Sequence, residues 1–163
     1  MHRFNTIIND AWKAAIKDNQ TIANFDSDIT TLIEYINRTN AQDKLPIKLQ
    51  SGSKTRPWRM LSDRMGIVSR SYMALHSHLS GTGQKIRINR IDKALLDQIV
   101  EIFDQLTEVF DELEQVTEPT VNKCIPLICS LKMNLSRFNV TESDSIQQCA
   151  VNMLVQNILN QMD

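Results

Sequence analysis

Apolar residues recur at helical spacing through most of this chain, and their positions predict six amphipathic helices. The predicted helices span about residues 2–17, 21–39, 57–80, 90–116, 120–135 and 141–163. Between the second and third helices, residues 40–57 predict an internal loop, because Pro46, Gly52 and Pro57 interrupt any regular element there. The segment from Ser80 to Arg90 is too short to form a sheet.

The apolar stripes of these helices identify the candidate core. In the second helix the inward residues would be Ile22, Phe25, Ile29, Leu32, Ile33 and Ile36. In the fourth they would be Leu95, Leu96, Ile99, Val100, Phe103, Leu106, Phe110 and Leu113, with carboxylates on the opposite side. In the sixth they would be Ile146, Ala150, Leu154, Ile158 and Met162.

Helix ends carry their own signals. Pro57 suits the first helical position, where its missing N–H costs nothing. The second helix begins near residue 21 or, alternatively, at Asp26 or Ser27, since either can cap a helix. Pro126 either kinks the fifth helix or resets its start. Thr141 is the predicted cap of the sixth.

Composition supports one all-α domain. With 163 residues the chain is long enough for a sizeable core. Its four Gly and four Pro provide few breaks, which favours long helices in a bundle over a many-turned β fold. No apolar run approaches the ~20 residues of a membrane span. The cysteines, Cys124, Cys129 and Cys149, form no C-x-x-C pair and predict buried, reduced thiols in a reducing intracellular compartment rather than a disulfide, with no metal or cofactor.

Charge is sorted along the chain although the net charge is only −1. Residues 44–90 carry ten Lys or Arg and one Asp, a net charge of +9. Residues 91–118 carry nine acidic residues and one Lys, a net charge of −8. The basic block could collect phosphates by counterion release. Alternatively, the two blocks face each other in one domain, or both are simply solvated.

Three short segments resemble landmarks of the hAT superfamily of transposases. Residues 2–5, His-Arg-Phe-Asn, match the pattern H-R-[LF]-N that follows the start of the family's C/D-x-x-H motif. Arg56 and Trp58 lie where the family has an Arg-Trp motif. Residues 120–128 resemble the segment P-T-L-x-x-V-L-P-x-x. The Cys or Asp that would precede His2 by three lies before residue 1, which predicts a chain truncated from a longer reading frame.

The resemblance implies a part of a transposase and not the whole enzyme. In the family, a helical insertion interrupts an RNase H-like catalytic domain whose carboxylate-bound metal ions cut DNA. Two of the metal-binding carboxylates precede the C/D-x-x-H motif, and the third lies far downstream of the segments matched here. We therefore expect a non-catalytic, nuclear fragment. Its expected partners are DNA, other transposase segments or a second copy of the chain, and no membrane.

The expected DNA-binding residues are Arg56, Trp58, Arg59 and Arg64. In the family the Trp stacks on a base exposed at the cut element end, a contact worth roughly 1–3 kcal/mol. Here Pro57 separates Arg56 from Trp58, so either the start of the helix is rearranged or the working pair is Trp58-Arg59. Trp58 could instead be a core residue at the start of the helix. The rival function is a helical protein-interaction domain that binds no nucleic acid.

Overall fold

Helices account for nearly all of the described part of the chain, which in this computed structural model comprises residues 2–39, 57–115, 121–138 and 145–162. These ranges contain eight helices and no strand, so the all-α class is confirmed, with two helices more than predicted. The predicted loop at residues 40–56 lies outside the described ranges. The helices are α1 (His2–Asp18), α2 (Gln20–Arg38), α3 (Pro57–Arg70), α4 (Tyr72–Gly81), α5 (Lys85–Asn89), α6 (Lys93–Gln115), α7 (Val121–Ser136) and α8 (Ile146–Gln161).

The first two helices form a hairpin that turns at a single residue. Asn19 is extended (φ −134°, ψ 112°), and its side-chain oxygen accepts hydrogen bonds from the backbone N–H groups of Thr21 (2.9 Å) and Ile22 (3.2 Å). This satisfies two of the donors that a helix start leaves open. The start at Asp26 or Ser27 is therefore wrong, whereas all six residues predicted for the inner face of α2 are buried.

The long acidic helix α6 lies at the centre of the fold and packs against α3, α7 and α8. Its predicted stripe is buried except at Val100, which is only partly buried. Ile102 and Val109 are also buried, so the apolar arc is wider than the predicted stripe. Phe103 is 1% exposed and meets the Trp12 ring of α1 with 5.5 Å between ring centroids.

The predicted third helix is two helices, broken at Ser71. Ser71 has φ −96° and ψ 7°, and its buried hydroxyl has no hydrogen-bond partner. The apolar period runs through the break, since Met65, Val68, Leu75 and Leu79 are all buried. The hydrophobic pattern therefore does not reveal the break, and the predicted uninterrupted helix over residues 57–80 is wrong.

The segment after α4 forms a short helix that sequence analysis missed. Gly83 has φ 73°, a left-handed conformation that glycine adopts without strain, and it follows the end of α4. The chain then turns back as α5, which packs against α4 with Ile88 buried and Ile86 60% exposed. A helix of five residues is too short to show a period of its own.

The last two helices differ from prediction at their starts. Pro126 lies inside α7, so it does not reset the start of that helix. The N-cap of α8 is Ser145, so the predicted cap at Thr141, which lies outside the described residues, is wrong. Ile146, predicted to face inward, is 68% exposed because it occupies the open first turn of α8.

Two side-chain hydrogen bonds hold the start of α8 in place. Gln147 donates to Asp92 at 3.0 Å, and Gln148 donates to the backbone oxygen of Phe138 at 2.8 Å. Asp92 also accepts from the N–H of Leu95 at 3.0 Å, so it caps α6 as well. One carboxylate thus joins the starts of α6 and α8.

Phe103→Ala should lower the free energy of unfolding by about 3–5 kcal/mol, because it removes a buried ring and leaves a cavity between α6 and α1. Urea unfolding followed by circular dichroism measures the change. Met73→Ala is the control, since Met73 is 78% exposed and should change stability by no more than about 0.5 kcal/mol. A loss as small for Phe103→Ala as for Met73→Ala would contradict the assigned core.

Asp26→Asn should stabilise the protein at pH 7 and lose that advantage in acid. Burial raises the pKa of Asp26, and the hydrogen bond from Trp12 (3.3 Å) only partly opposes it. Since the folded state then holds the proton more tightly than the unfolded state, the wild type gains stability as the pH falls through this pKa. Asn keeps the oxygen that accepts from Trp12 but cannot ionise.

Urea titrations of both proteins at pH 7 and pH 4 check this sign. The difference at pH 7 should stay below about 1 kcal/mol, because Asp26 is only half-buried and solvent screens its charge. An advantage of the Asn variant that grows on acidification would show that the pKa shift has the opposite sign.

Candidate nucleic-acid interface

Three of the four residues proposed to touch DNA, Trp58, Arg59 and Arg64, belong to α3. Pro57 is its first residue, as predicted, and Trp58 and Arg59 follow in the first turn. The side chains of Trp58 and Arg59 lie outside the described part of the structure, and so does all of Arg56. His2 is the first residue of α1, its side chain is likewise outside, and α1 contacts α3.

The basic helix α3 packs against the acidic helix α6. Ser69 donates a hydrogen bond of 2.6 Å to Asp97, and one turn further along the Lys93 ammonium lies 5.6 Å from the centre of the Tyr72 ring. The described residues of the basic block on α3 therefore lie beside the acidic helix α6.

Among the side chains that the structure describes, contact between these helices does not pair their charges. The ion pair seen here joins Lys93 to Asp97 within α6 itself. Among the described residues, Arg64, Arg70, Lys85 and Arg90 form no ion pair with any carboxylate. Met65 and Val68 on α3 supply buried apolar contact instead. These four cations are thus available to another negatively charged group.

Asp97 of α6 accepts hydrogen bonds from both Ser69 and Lys93 where α6 meets α3. Partial burial would raise the pKa of Asp97, but hydrogen bonds from Lys93 and Ser69 and the nearby ammonium charge outweigh it, so the pKa lies below its usual value. Asp97 therefore remains charged at neutral pH.

Arg87 belongs to the fold, although the sequence counts it with the basic block. Its Nε donates to the side-chain oxygen of Gln84 at 3.0 Å, and its guanidinium lies 4.5 Å from the centre of the Tyr35 ring. This cation–π contact attaches α5 to α2. The spacing of Gln84 and Arg87, three residues apart, would have suggested the contact had a helix been predicted there.

Helical geometry spreads the arginines of α3 around its outer side. Positions 59 and 64 lie about 140° apart around the axis. Arg70, which was not selected from the sequence, lies within about 20° of position 59 because eleven residues complete about three turns. The exposed Arg70 guanidinium bends back over Gly66, where an added Cβ would lie 3.2 Å from its Nη1. Arg64 and Arg70 therefore border opposite edges of the outward face of α3.

A cavity of about 160 Å³ lies where α2 meets the start of α6. Its floor is apolar, formed by Phe25 and Leu95, and its rim carries Arg90, Asp28 and Asp92. Asp92 already caps α6 and accepts from Gln147, so this side of the rim is held in place by contacts within the fold.

The prediction that the cysteines are buried is wrong, since Cys129 and Cys149 are exposed and Cys124 is only partly buried. The described residues include no cluster of three or more His, Cys, Asp or Glu side chains able to hold a metal ion. Within the same ranges, no helix has both the length and the apolar character needed to cross a bilayer.

Comparison with known proteins does not assign a family. No family model matches the chain, and no curated protein matches it. The resemblance to hAT transposases therefore rests on the three short segments found in the sequence.

Proposed function

We propose that this chain is a non-catalytic helical module of the hAT-transposase type, which provides scaffold and contacts DNA through α3 to α5. The observation that carries the DNA contact is the unpaired charge: Arg64, Arg70, Lys85 and Arg90 make no ion pair with a described carboxylate. An arginine or lysine that already neutralises a carboxylate has less to gain from a phosphate. An arginine or lysine without such a carboxylate partner can bind a DNA phosphate and thereby release a counterion from the DNA.

The placement of the Trp supports the same proposal. Trp58 follows Pro57 in the first turn of a helix, where backbone N–H groups lack intrahelical acceptors and favour anions. A single nucleotide could then make both contacts, with its phosphate near that turn and its unpaired base against the Trp58 indole. We propose a nuclear location on the family resemblance alone.

A second candidate, a helical protein-interaction domain, is favoured by a different observation. Ile125 and Met133 of α7 are 55% and 62% exposed, although both are large and apolar. Cys129, which is also exposed, lies between them at the same four-residue spacing, and an apolar patch of this kind is one sign of a surface that another protein covers. The two functions use different helices, so separate variants distinguish them.

Replacing Arg56, Arg59 and Arg64 together with Ala should weaken DNA binding and flatten its salt dependence. Each lost phosphate contact should reduce the slope of log K against log salt by roughly one unit, without sequence preference. Fluorescence anisotropy with a labelled mixed-sequence duplex at several salt concentrations measures both effects. The matched control replaces Lys13, Lys17 and Arg38, which are exposed on α1 and α2, and removes the same three charges.

The control decides what a weaker affinity means. If both triple variants lose the same affinity, net charge acts at long range and α3 is not the contact surface. If neither differs from the wild type, α6 screens the basic block and the chain has no DNA surface there. Only a selective loss in the α3 variant supports the proposal.

Trp58→Ala should reduce binding to a duplex with one unpaired base more than to the fully paired duplex. Only an exposed base offers a face on which the indole can stack. If Trp58 is a core residue, its loss should weaken both complexes equally, because it then lowers the folded fraction of the protein. Trp58→Phe is the control, since it keeps an aromatic face and should retain most of the preference.

A further inference from the structure

The cavity between α2 and the start of α6 combines an apolar floor with a charged rim. Its volume is about 160 Å³. The floor consists of Phe25 and Leu95, whose side chains are 5% and 2% exposed. Since an apolar cavity of about 150 Å³ holds a molecule the size of benzene, this one has room for an apolar group of roughly six carbon atoms or fewer.

Helix α2 contributes both apolar and polar groups to this cavity. Its lining residues follow the spacing i, i+3, i+4 and i+7, so they lie along one side of the helix: Thr21, Asn24, Phe25 and Asp28. The side-chain oxygen of Asn24 accepts a hydrogen bond of 2.8 Å from Gln20. The NH₂ group of Asn24 is therefore the part that can donate to a ligand.

Two opposite charges on the rim do not pair with each other. Arg90 and Asp28 both line the cavity, yet neither side chain forms an ion pair or a hydrogen bond with another described residue. More than 4.0 Å therefore separates the nitrogens of the Arg90 guanidinium from the carboxylate oxygens of Asp28. Opposite charges that line one cavity without touching are complementary to a ligand that carries both charges.

We propose that this cavity binds a small zwitterion, namely an α-amino acid with a branched apolar side chain. The ligand carboxylate lies against the Arg90 guanidinium, whose planar fork of donors matches a carboxylate. The ligand ammonium lies against the Asp28 carboxylate, and the apolar side chain covers Phe25 and Leu95. The Asn24 NH₂ group is a further donor for the ligand carboxylate.

A ligand with a single charge fits this lining less well. A carboxylate without an ammonium would pair with Arg90 but would leave Asp28 unpaired and bring a like charge near it and near Asp92. An amine without a carboxylate would leave Arg90 unpaired. The cavity is also smaller than the roughly 300–1,000 Å³ of pockets for drug-sized ligands, so we expect a dissociation constant on the order of 1 mM.

Probes that differ from one another by one group test the proposal. L-Leucine carries both charges and a branched apolar side chain. The compound 4-methylpentanoate lacks only its ammonium, 3-methylbutylamine lacks only its carboxylate, and glycine lacks only its side chain. Each probe is titrated into the isotopically labelled full chain, and nuclear magnetic resonance follows the backbone amides of Asn24, Phe25 and Leu95, with that of Lys13 on α1 as the reference away from the cavity.

L-Leucine should bind at least about tenfold more tightly than each of the other three probes, because each of these lacks either a contact to a charged group or the contact with the apolar floor. The amides of Phe25 and Leu95 should shift on saturation, whereas that of Lys13 should not.

Two variants assign the charges of the ligand to their partners. Arg90→Gln should abolish the preference for leucine over 3-methylbutylamine and keep the preference over 4-methylpentanoate. Asp28→Asn should do the reverse. The matched controls are Arg38→Gln and Glu34→Gln, which remove the same charges from exposed positions elsewhere on α2 and should keep both preferences. Circular dichroism confirms that each variant is folded.

Three results would overturn the proposal. The first is the absence of a saturable shift up to about 20 mM leucine, a concentration well above the expected dissociation constant. The second is equal affinity for leucine and both singly charged probes. The third is unchanged preference in the Arg90→Gln and Asp28→Asn variants. The DNA-binding test changes Arg56, Arg59 and Arg64 instead, so either proposal can fail without the other.

Discussion

Burial of the apolar side of α6 is the constraint on which the rest of the bundle depends. Leu96, Ile99, Ile102 and Leu106 are completely buried along three turns, and no single neighbouring helix could cover an arc that wide. Three helices are needed, and α3, α7 and α8 provide them. Phe103 extends the contact to Trp12, so that α1 and α2 join the same core.

The charge distribution follows from this packing. Because the apolar arc of α6 must face inward, its carboxylates face water, and the helix that covers one flank happens to be the basic α3. Ser69 and Lys93 satisfy Asp97 at the junction, and neither Arg64 nor Arg70 forms an ion pair with a described carboxylate. The buried part of the contact on α3 is apolar, formed by Met65 and Val68, so these two arginines keep their charge on the outer surface.

The sequence predicted the long helices well because a helix that is buried on one side has apolar residues at a regular helical spacing. All six core residues of α2 and nearly all of those in α6 were identified from spacing alone. Features that depend on tertiary contact do not change the spacing of apolar residues in the sequence. The bend at Ser71 preserves the apolar period on both sides, and α5 has only one buried residue, Ile88.

The candidate site was less predictable for a related reason. A pattern identifies which residues are charged but not what those charges touch. Arg87 looked equivalent to Arg90, yet it lies over Tyr35 and belongs to the fold. Arg70 was overlooked although the predicted helix over residues 57–80 already places it within about 20° of position 59. Arg56 and the side chains of Trp58 and Arg59 lie outside the described residues, so their roles remain predictions.

The composition of α8 divides the molecule into two regions that respond differently to solution conditions. From Ile146 to Gln161 this helix contains no acidic or basic side chain, and it packs along α1 through Ala150, Leu154 and other buried apolar residues. Added salt or a change of pH therefore has little to act on along most of that contact, whereas α3 and α6 present charge on their outer surfaces. Ionic strength should therefore change the affinity of the α3 side for a charged partner, while the α1–α8 contact keeps the chain folded. That affinity can vary over a wide range of salt concentration without a matching change in the melting temperature of the protein.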